Sequence, residues 1–467
     1  MFYRCLECGA EYGIEELLYT CPRCRGLFLL VDRNEARLRE RPGTFWRRLF
    51  DHRKMLNIPP LKGIFLFYEL IAPVIPLNAV IYLGEGHTPQ VAANDELADE
   101  VGAAFYFKND GQNPSASFKD RGMAAALSYL NFLVSRPGAG RVLAICASTG
   151  DTSAAAALYA AYLGDKVASA VLLPHGKVTP QQLSQPLGSG AKVLEIPGVF
   201  DDCMRVVEYL ADHYRVALLN SKNPWRIRGQ ESYAFEVAQG FDYDLKGKAV
   251  VVPIGNAGNI TAILAGFLRL QDLKIIEDLP RVIGVQSRHA NPVFRYYAEP
   301  DRSRRVFVPV KVTPSVAQAA MIGNPVSMPR VIRLVEDYTR RAGEGSVTVV
   351  EVTEQEIMDS MLLANRHGHI ACTQGGESLA GLRTALGAGL LDPGETAVLD
   401  ATAHHLKFVG FQEMYFEDRF PPEFEVTPKP EYQNRPQPLT PTTEDPEARV
   451  ADLAEQIATL VKLTPKK

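Results

Sequence analysis

The sequence predicts an α/β protein built on parallel sheets with helices on both faces. Three observations predict it. Between residues 81 and about 415, short apolar runs of strand composition alternate with longer runs of helical periodicity. Glycine- and hydroxyl-rich turns sit directly between a strand and the helix that follows it, where free backbone N–H groups make anion pockets. The 467 residues are 46% hydrophobic, enough for large buried cores and for two or three domains.

Residues 1–32 form a small unit of their own: Cys5-x-x-Cys8, twelve residues, then Cys21-x-x-Cys24. Each pair can set two thiolates on one face of a tight turn, and two such knuckles close a tetrahedron around Zn²⁺. Gly9 and Gly26 are expected to supply the turn flexibility after each pair. Four sulfurs leave no open coordination position, so a bound zinc would be structural. Four reduced thiols without metal satisfy the same spacing. Residues 33 to 80 read as helical and then irregular, rich in Arg first and Pro later.

The alternation then begins. Ala104 to Phe107 reads as a strand and Met123 to Val134 as a helix. Arg141 to Ala147 is a strand, Thr152 to Leu163 an alanine-rich helix, and Val167 to Leu173 a strand. Ala249 to Val252 is a strand followed by a helix from Asn259 to Leu270, and Val282 to Gln286 and Ala397 to Leu399 are further strands. From Phe420 onward the chain is proline-rich (Pro421, Pro422, Pro428, Pro430, Pro436, Pro438, Pro441), which suits an extended arm. Residues 446 to 463 regain helical periodicity through Val450, Leu453, Ile457, Leu460 and Val461.

Composition narrows the function. Lys+Arg number 50 against 54 Asp+Glu, a formal net charge of −4 with no dense basic stripe, so no nucleic acid is expected as the main partner. The start, Met1-Phe2-Tyr3-Arg4-Cys5, lacks the apolar core of a signal peptide. The most apolar stretch, Ile64 to Leu83, is broken by Glu69, Pro73, Pro76 and Asn78, so no membrane span is expected. Seven cysteines, four clustered and three scattered, argue against a secreted disulfide scaffold and for a reducing cytoplasm.

Five segments carry chemistry. In Asn113-Pro114-Ser115-Ala116-Ser117-Phe118-Lys119-Asp120-Arg121-Gly122-Met123, a lysine is fixed between a tight turn and a helix start. Burial and the positive helix end would both lower its pKa, and a neutral amine can form a Schiff base with an aldehyde. A solvated lysine at a helix start has the same sequence. Ser148-Thr149-Gly150-Asp151-Thr152-Ser153 joins a strand to a helix, a pocket that suits a carboxylate; an ordinary helix cap uses the same residues. Pro253-Ile254-Gly255-Asn256-Ala257-Gly258-Asn259-Ile260-Thr261 lets backbone approach a phosphate. It lacks both the lysine of a nucleotide-triphosphate loop and the Gly-x-Gly-x-x-Gly of a dinucleotide site. Ala401-Thr402-Ala403-His404-His405-Leu406-Lys407 follows a strand directly, and its histidine pair reads as a surface or core-edge pair, since no third metal ligand is evident. Asn220-Ser221-Lys222-Asn223-Pro224-Trp225-Arg226-Ile227-Arg228-Gly229-Gln230 reads by itself as a loop with surface arginines.

Taken together and in this order, these segments resemble the motifs of threonine synthases, in their plant-like branch; the likeness spans residues 81 to about 411. Gly84-Glu85-Gly86-His87-Thr88-Pro89, Phe200 to Met204 and Ile322 to Val326 extend it. His405 stands where the family has glycine, and His367-Gly368-His369, with no family counterpart, reads as two surface histidines. The resemblance implies the tryptophan-synthase-β-like fold of pyridoxal-phosphate enzymes (PLP fold type II), with two parallel-sheet domains: 33–110 with 220–415 as the large one and 111–219 as the small one. Residues 1–32 precede them as the zinc ribbon, and 416–467 follow as arm and terminal helix.

It further implies that Lys119 carries pyridoxal 5′-phosphate and that Gly255, Asn256, Ala257, Gly258 and Asn259 hold its phosphate. Thr402 would meet the pyridine nitrogen; a neutral hydroxyl there makes a weaker electron sink and restrains transamination. Asp151 would face the phenolic oxygen, where most relatives of this fold have Asn, and a carboxylate there repels a phenolate unless a proton or a cation intervenes. Ser148 and Thr149 would receive the substrate carboxylate, and Thr152, Asn220, Ser221 and Arg226 its phosphate, as a dianion prefers a planar guanidinium and neutral donors. The implied reaction is loss of phosphate from O-phospho-L-homoserine and addition of water to give L-threonine, in a homodimer. Three rivals stay open: a threonine dehydratase or cysteate synthase on the same fold, a non-catalytic homologue, and a zinc-ribbon nucleic-acid binder.

Overall fold

Three sheets organise the chain in the computed structural model, which describes residues 1–148, 150–175, 180–198 and 200–466. The first is small and antiparallel, made of β1 (Phe2–Cys5), β2 (Glu11–Gly13) and β3 (Phe28–Val31) in the order β2-β1-β3. The second has six strands: β4 (Gln90–Ala92), β5 (Phe105–Asn109), β10 (Lys248–Pro253), β11 (Arg281–Ser287), β12 (Val347–Val352) and β13 (Thr396–Ala401). Its order is β12-β11-β10-β13-β5-β4, parallel except where β4 pairs antiparallel with β5 at one edge. The third is all parallel, β8 (Lys192–Ile196), β7 (Val167–Pro174), β6 (Val142–Ala147) and β9 (Val216–Leu218), in that order.

The run Ala249-Val250-Val251-Val252 explains why β10 is central. A parallel strand is covered on both faces and needs a continuous apolar sequence. All four residues are fully buried, and alternate ones join different cores: Val250 and Val252 face one, Ala249 and Val251 the other. Every strand expected from the sequence forms, most with ends one or two residues further out. The helix Lys119–Val134 starts at the lysine itself, four residues earlier than periodicity alone suggests, because the polar turn residues supply its first turn. Strands β8, β9 and β12 and the helices Met328–Ala342, Glu354–Arg366 and Thr373–Gly387 carry no singled-out sequence signal.

The N-terminal unit departs from expectation in one detail. Gly9 takes a positive φ of 70° after the first cysteine pair, but after the second it is Arg25 (φ 63°), not Gly26, that turns left-handed. Gly26 is needed for space: a Cβ there would lie 2.6 Å from Glu7 Cγ and 3.0 Å from Cys5 Sγ. At the other end, the helix Pro446–Leu460 buries no residue, and Val450 and Leu460 stay exposed. No helix among the described residues is long and apolar enough to cross a membrane.

Candidate active site

The carboxyl ends of β5, β6, β10 and β13 feed the turns that carry the candidate residues, the usual place for a ligand in open parallel sheets. Two of these turns are zipped together. Ser117 pairs with Ala403 in an antiparallel bridge, the Phe118 amide donates to the Thr402 carbonyl at 2.8 Å, and the His404 amide donates to the Ala116 carbonyl at 3.0 Å. Ala116 takes a positive φ of 63° to allow this, and a Cβ on Gly111 would fall 2.5 Å from the His404 nitrogen. One short ladder therefore fixes Lys119 and Thr402 against each other.

Lys119 keeps part of its surface open while dense protein surrounds its amine. That amine sits 3.6 Å from the centre of the Phe118 ring and has no hydrogen-bond partner among the described residues. Burial lowers its pKa to about 7; Asp151 and Asp400 oppose the fall, and Arg226 and Lys407 add to it. At neutral pH the group is thus poised between amine and ammonium.

Asp151 opens the helix Asp151–Tyr162, and its Oδ1 lies 2.8 Å from Lys407 Nζ. Lys407 also donates to the Ser115 carbonyl at 2.9 Å. A cation therefore stands against this carboxylate, supplied by the last residue of the Thr402 segment. Sequence reading quoted Lys407 without giving it a role. Ser115 in turn donates from its amide (2.9 Å) and hydroxyl (2.8 Å) to Asp120, whose carboxyl is raised to about 7 by burial.

The glycine loop follows β10. Ala257 is left-handed (φ 60°), and the helix Gly258–Asp272 starts immediately after it, which leaves the first helical N–H groups without intrahelical partners. A Cβ on Gly255 would come within 3.0 Å of Ala320 Cα, and the Asn256 carbonyl accepts from the Ser327 amide at 3.1 Å. The Asn259 carboxamide nitrogen donates to Asp400 Oδ2 at 2.6 Å, so that N–H group is not free for a ligand. Across the site, Thr402 is buried and the Cys372 sulfur, at 4.0 Å, is the neighbour of its hydroxyl.

After β6, the Gly150 amide donates to Ser148 Oγ at 3.3 Å, and a Cβ on Gly150 would meet open space. Thr152 is half-buried in the first turn of the helix; Thr149 lies outside the described residues. Asn220 clasps both backbone groups of Ala147, at 3.1 and 2.8 Å, so its carboxamide frames the pocket instead of projecting into it.

The largest departure from sequence reading concerns the arginines. Residues Pro224–Gln230 form a helix capped by Asn223, and Arg226 and Arg228 are each 2% exposed. They are not surface residues. Gly122 and Gly229 let this helix cross Lys119–Val134 at backbone contact: a Cβ on Gly229 would fall 2.2 Å from the Arg121 carbonyl. Arg226 donates to the Leu219 carbonyl at 2.9 Å, its Nε has no partner, and no carboxylate among the described residues pairs with it. Burial pushes it down to about 10. A buried guanidinium without a counter-ion is costly unless an anion arrives.

The arrangement fits a phosphorylated aldehyde and a phosphorylated substrate. Among the described residues it offers a partly neutral lysine without a hydrogen-bond partner, a loop at a helix N-terminus, an uncompensated arginine, and the unpartnered buried oxygens Ser117 Oγ and Asp400 Oδ1. The four cysteines also converge. Cys5 and Cys24 sulfurs are 3.4 Å apart, Cys8 and Cys21 3.7 Å, and all four lie within 4.8 Å of one another. Tetrahedral Zn–S bonds of about 2.3 Å require S···S separations of roughly 3.8 Å. Among the other histidines, His404 and His405 are half-buried with rings 4.7 Å apart, as expected of a core-edge pair. His367 is half-buried and bonds Asn94, and His369 is buried against the Phe107 ring at 4.6 Å, which corrects the reading of two surface histidines.

The family model of the pyridoxal-phosphate dependent enzymes matches residues 81–402. The chain is 36% identical over 416 residues to the threonine synthase of Methanocaldococcus jannaschii, covering 87% of this chain and 93% of that protein. It is 34% identical over 409 residues to threonine synthase 2, chloroplastic, of Arabidopsis thaliana, covering 85% of this chain and 75% of that one. In fold it is similar to the threonine synthase of Escherichia coli, with a TM-score of 0.64 at 21% identity over 88% of this chain and 90% of that chain. Maize serine racemase shares the fold with a TM-score of 0.56 at 16% identity, over 75% of this chain and 97% of that one.

Proposed function

This chain belongs to the pyridoxal-phosphate dependent enzymes, in the threonine synthase family, and from that premise we propose how its own residues carry the reaction. It is a lyase that removes phosphate from O-phospho-L-homoserine and adds water to give L-threonine. Pyridoxal 5′-phosphate, when bound to Lys119, supplies the electron sink that makes the substrate Cα–H bond acidic.

The rest is the work of the chain. The Gly255–Asn259 loop and the helix start behind it hold a phosphate through backbone N–H groups. Thr402 would offer the pyridine nitrogen a neutral hydroxyl, and Asp151, neutralised by Lys407, would face the phenolic oxygen. Ser148, Thr149 and the helix start at Asp151 receive the substrate carboxylate. Thr152, Ser221 and Arg226 receive its phosphate, with Asn220 shaping the pocket wall. Lys119, titrating near 7, takes a proton from Cα and moves protons at Cβ without leaving the site. Arg226 stabilises the charge that gathers on the departing phosphate.

The observation that carries these assignments is the seat of Lys119: an amine without a hydrogen-bond partner among the described residues, lowered to about 7 and zipped beside Thr402. The test is to incubate the loaded enzyme with O-phosphohomoserine and assay phosphate and threonine together. Equimolar release is expected, and Lys119→Ala should abolish it. Release of ammonia and a 2-oxo acid instead would mark a dehydratase.

We also read the chain as four parts, 1–32, 33–110 with 220–415, 111–219, and 416–467. The third sheet, whose strands all lie between Val142 and Leu218, supports that division. Zinc is our assignment for the four-cysteine unit, supported by its sulfur separations. A cytoplasmic homodimer acting on a small molecule, with neither nucleic acid nor membrane as partner, completes the reading. Seven cysteines outside any disulfide support the cytoplasmic part of it, and the net charge of −4 supports the part on nucleic acid.

A further inference from the structure

Arg330 stands outside every motif singled out from the sequence. It lies in the helix Met328–Ala342 and is 1% exposed. No carboxylate among the described residues pairs with it. Its guanidinium is satisfied by oxygens from three places. Nη1 donates to the Ser221 carbonyl at 2.9 Å and to Ser327 Oγ at 3.3 Å. Nη2 donates to the Lys222 carbonyl at 3.0 Å. Nε (3.2 Å) and Nη2 (2.8 Å) both donate to the Phe28 carbonyl, in β3 of the four-cysteine unit.

One planar fork thus ties that unit to the loop read as the phosphate end of the substrate site. The loop is a tight turn: the Asn223 amide donates to the Asn220 carbonyl at 3.1 Å, and Asn223 caps the helix that carries Arg226. Holding the carbonyls of Ser221 and Lys222 therefore sets both the Ser221 hydroxyl and the start of the Arg226 helix. Two further tethers run the same way. Trp225 Nε1 donates to the Tyr3 hydroxyl at 3.0 Å, with the indole stacked on Tyr129 at 4.3 Å, and Arg228 donates to the Leu30 carbonyl. Burying a cation against carbonyls alone is unfavourable, and one carbonyl interaction would not offset it. Five N–H donors fixed in a fork can satisfy diverging carbonyls at once, which an ammonium on a flexible stem cannot.

We propose that Arg330 is a positioning residue for the phosphate end of the substrate site, acting as a strut between the four-cysteine unit and the loop Asn220–Arg226. This rests on the reading of that loop as the phosphate pocket. The strut makes the N-terminal unit part of substrate affinity instead of an independent appendage.

The test uses the full-length, cofactor-loaded enzyme and the variants R330M, R330K and Y3F. R330K keeps the charge and loses the fork; Y3F removes the second tether together with the long bond from the Tyr3 hydroxyl to Tyr129 at 3.4 Å. Both Arg330 variants should raise KM for O-phosphohomoserine about tenfold, equivalent to about 1.4 kcal/mol, and weaken inhibition by inorganic phosphate in parallel. kcat should stay within about twofold and the cofactor absorbance should not change; Y3F should show the same split at about threefold. R330K with the wild-type KM overturns the proposal, because the charge alone then suffices. A fall in kcat at constant KM overturns it as well. Should R330M not fold, R330K and Y3F decide by the same readings. A wild-type enzyme that releases no threonine would sink the functional reading and leave the strut to be judged on inorganic phosphate binding, measured by titration calorimetry. Weaker binding in R330K sustains it there, and equal binding ends it.

Discussion

Lys119 shows how a residue acquires its chemistry from its surroundings. In water its amine would stay protonated to about pH 10.4. Here burial holds it near 7, against the pull of Asp151. Lowering favours the neutral amine, so reactivity should rise as pH passes upward through 7. Acylation of Lys119 in the cofactor-free protein, followed by peptide mass spectrometry, should reach half its maximal rate near pH 7; a midpoint above about 9.5 would show an ordinary lysine. Asp151 makes the complementary case. Its carboxylate is 3% exposed and its cation, Lys407, 18%. Lys407→Met should cost about 2 kcal/mol in urea denaturation, below the range for a fully buried pair because one partner touches solvent. Adding Asp151→Asn should recover part of that loss, and purely additive single effects would show that the pair is not coupled.

At the scale of elements, the crossing of Lys119–Val134 with Pro224–Gln230 brings Arg226 beside Lys119. It works because Gly122 and Gly229 lack side chains where the backbones meet. Gly229→Ala should destabilise the protein by about 1–3 kcal/mol through overpacking. It should also weaken phosphate binding more than an equally destabilising change elsewhere; equal effects on both would remove the crossing from the site. The helix Lys119–Val134 is further locked to the helix Ser232–Gly240 by a buried charge network. Arg121 bonds Asp110 at 2.7 Å and Glu236 at 2.6 Å, and Lys108 bonds Glu236 at 2.7 Å. Glu236→Ala would leave Lys108 without its carboxylate and Arg121 with Asp110 alone, and should cost about 3–5 kcal/mol, read as a lowered denaturant midpoint.

For the molecule as a whole, the question is how a 32-residue unit with little core of its own stays folded. Small sheets of this size need a metal, disulfides or docking. The four thiols are free to take a metal, and the unit is also docked, with Tyr3 fully buried in the main core and Tyr19 in the core of the third sheet. Purified protein should hold one zinc per chain by atomic emission. Removing it with a chelator should lower the melting temperature and raise KM for O-phosphohomoserine, by the route through Phe28 and Arg330. Metal-free protein with an unchanged melting temperature would show that docking alone suffices.

The alternation of strands and helices, the paired cysteines, the lysine turn and the glycine loop are local patterns. Strand composition, ligand spacing and turn chemistry act over a few residues, so the sequence by itself determined the fold class, the candidate metal unit and the turns that make up the candidate site. Four things were decided only by the tertiary structure: the burial of Arg226 and Arg228, the neutralisation of Asp151 by Lys407, the commitment of Asn220 and Asn259 to Ala147 and Asp400, and the reach of Arg330 across three segments. Each joins positions tens to hundreds of residues apart. Whether a charged side chain faces water or an interior carbonyl depends on which backbone lies opposite it, and no periodicity along the chain encodes that.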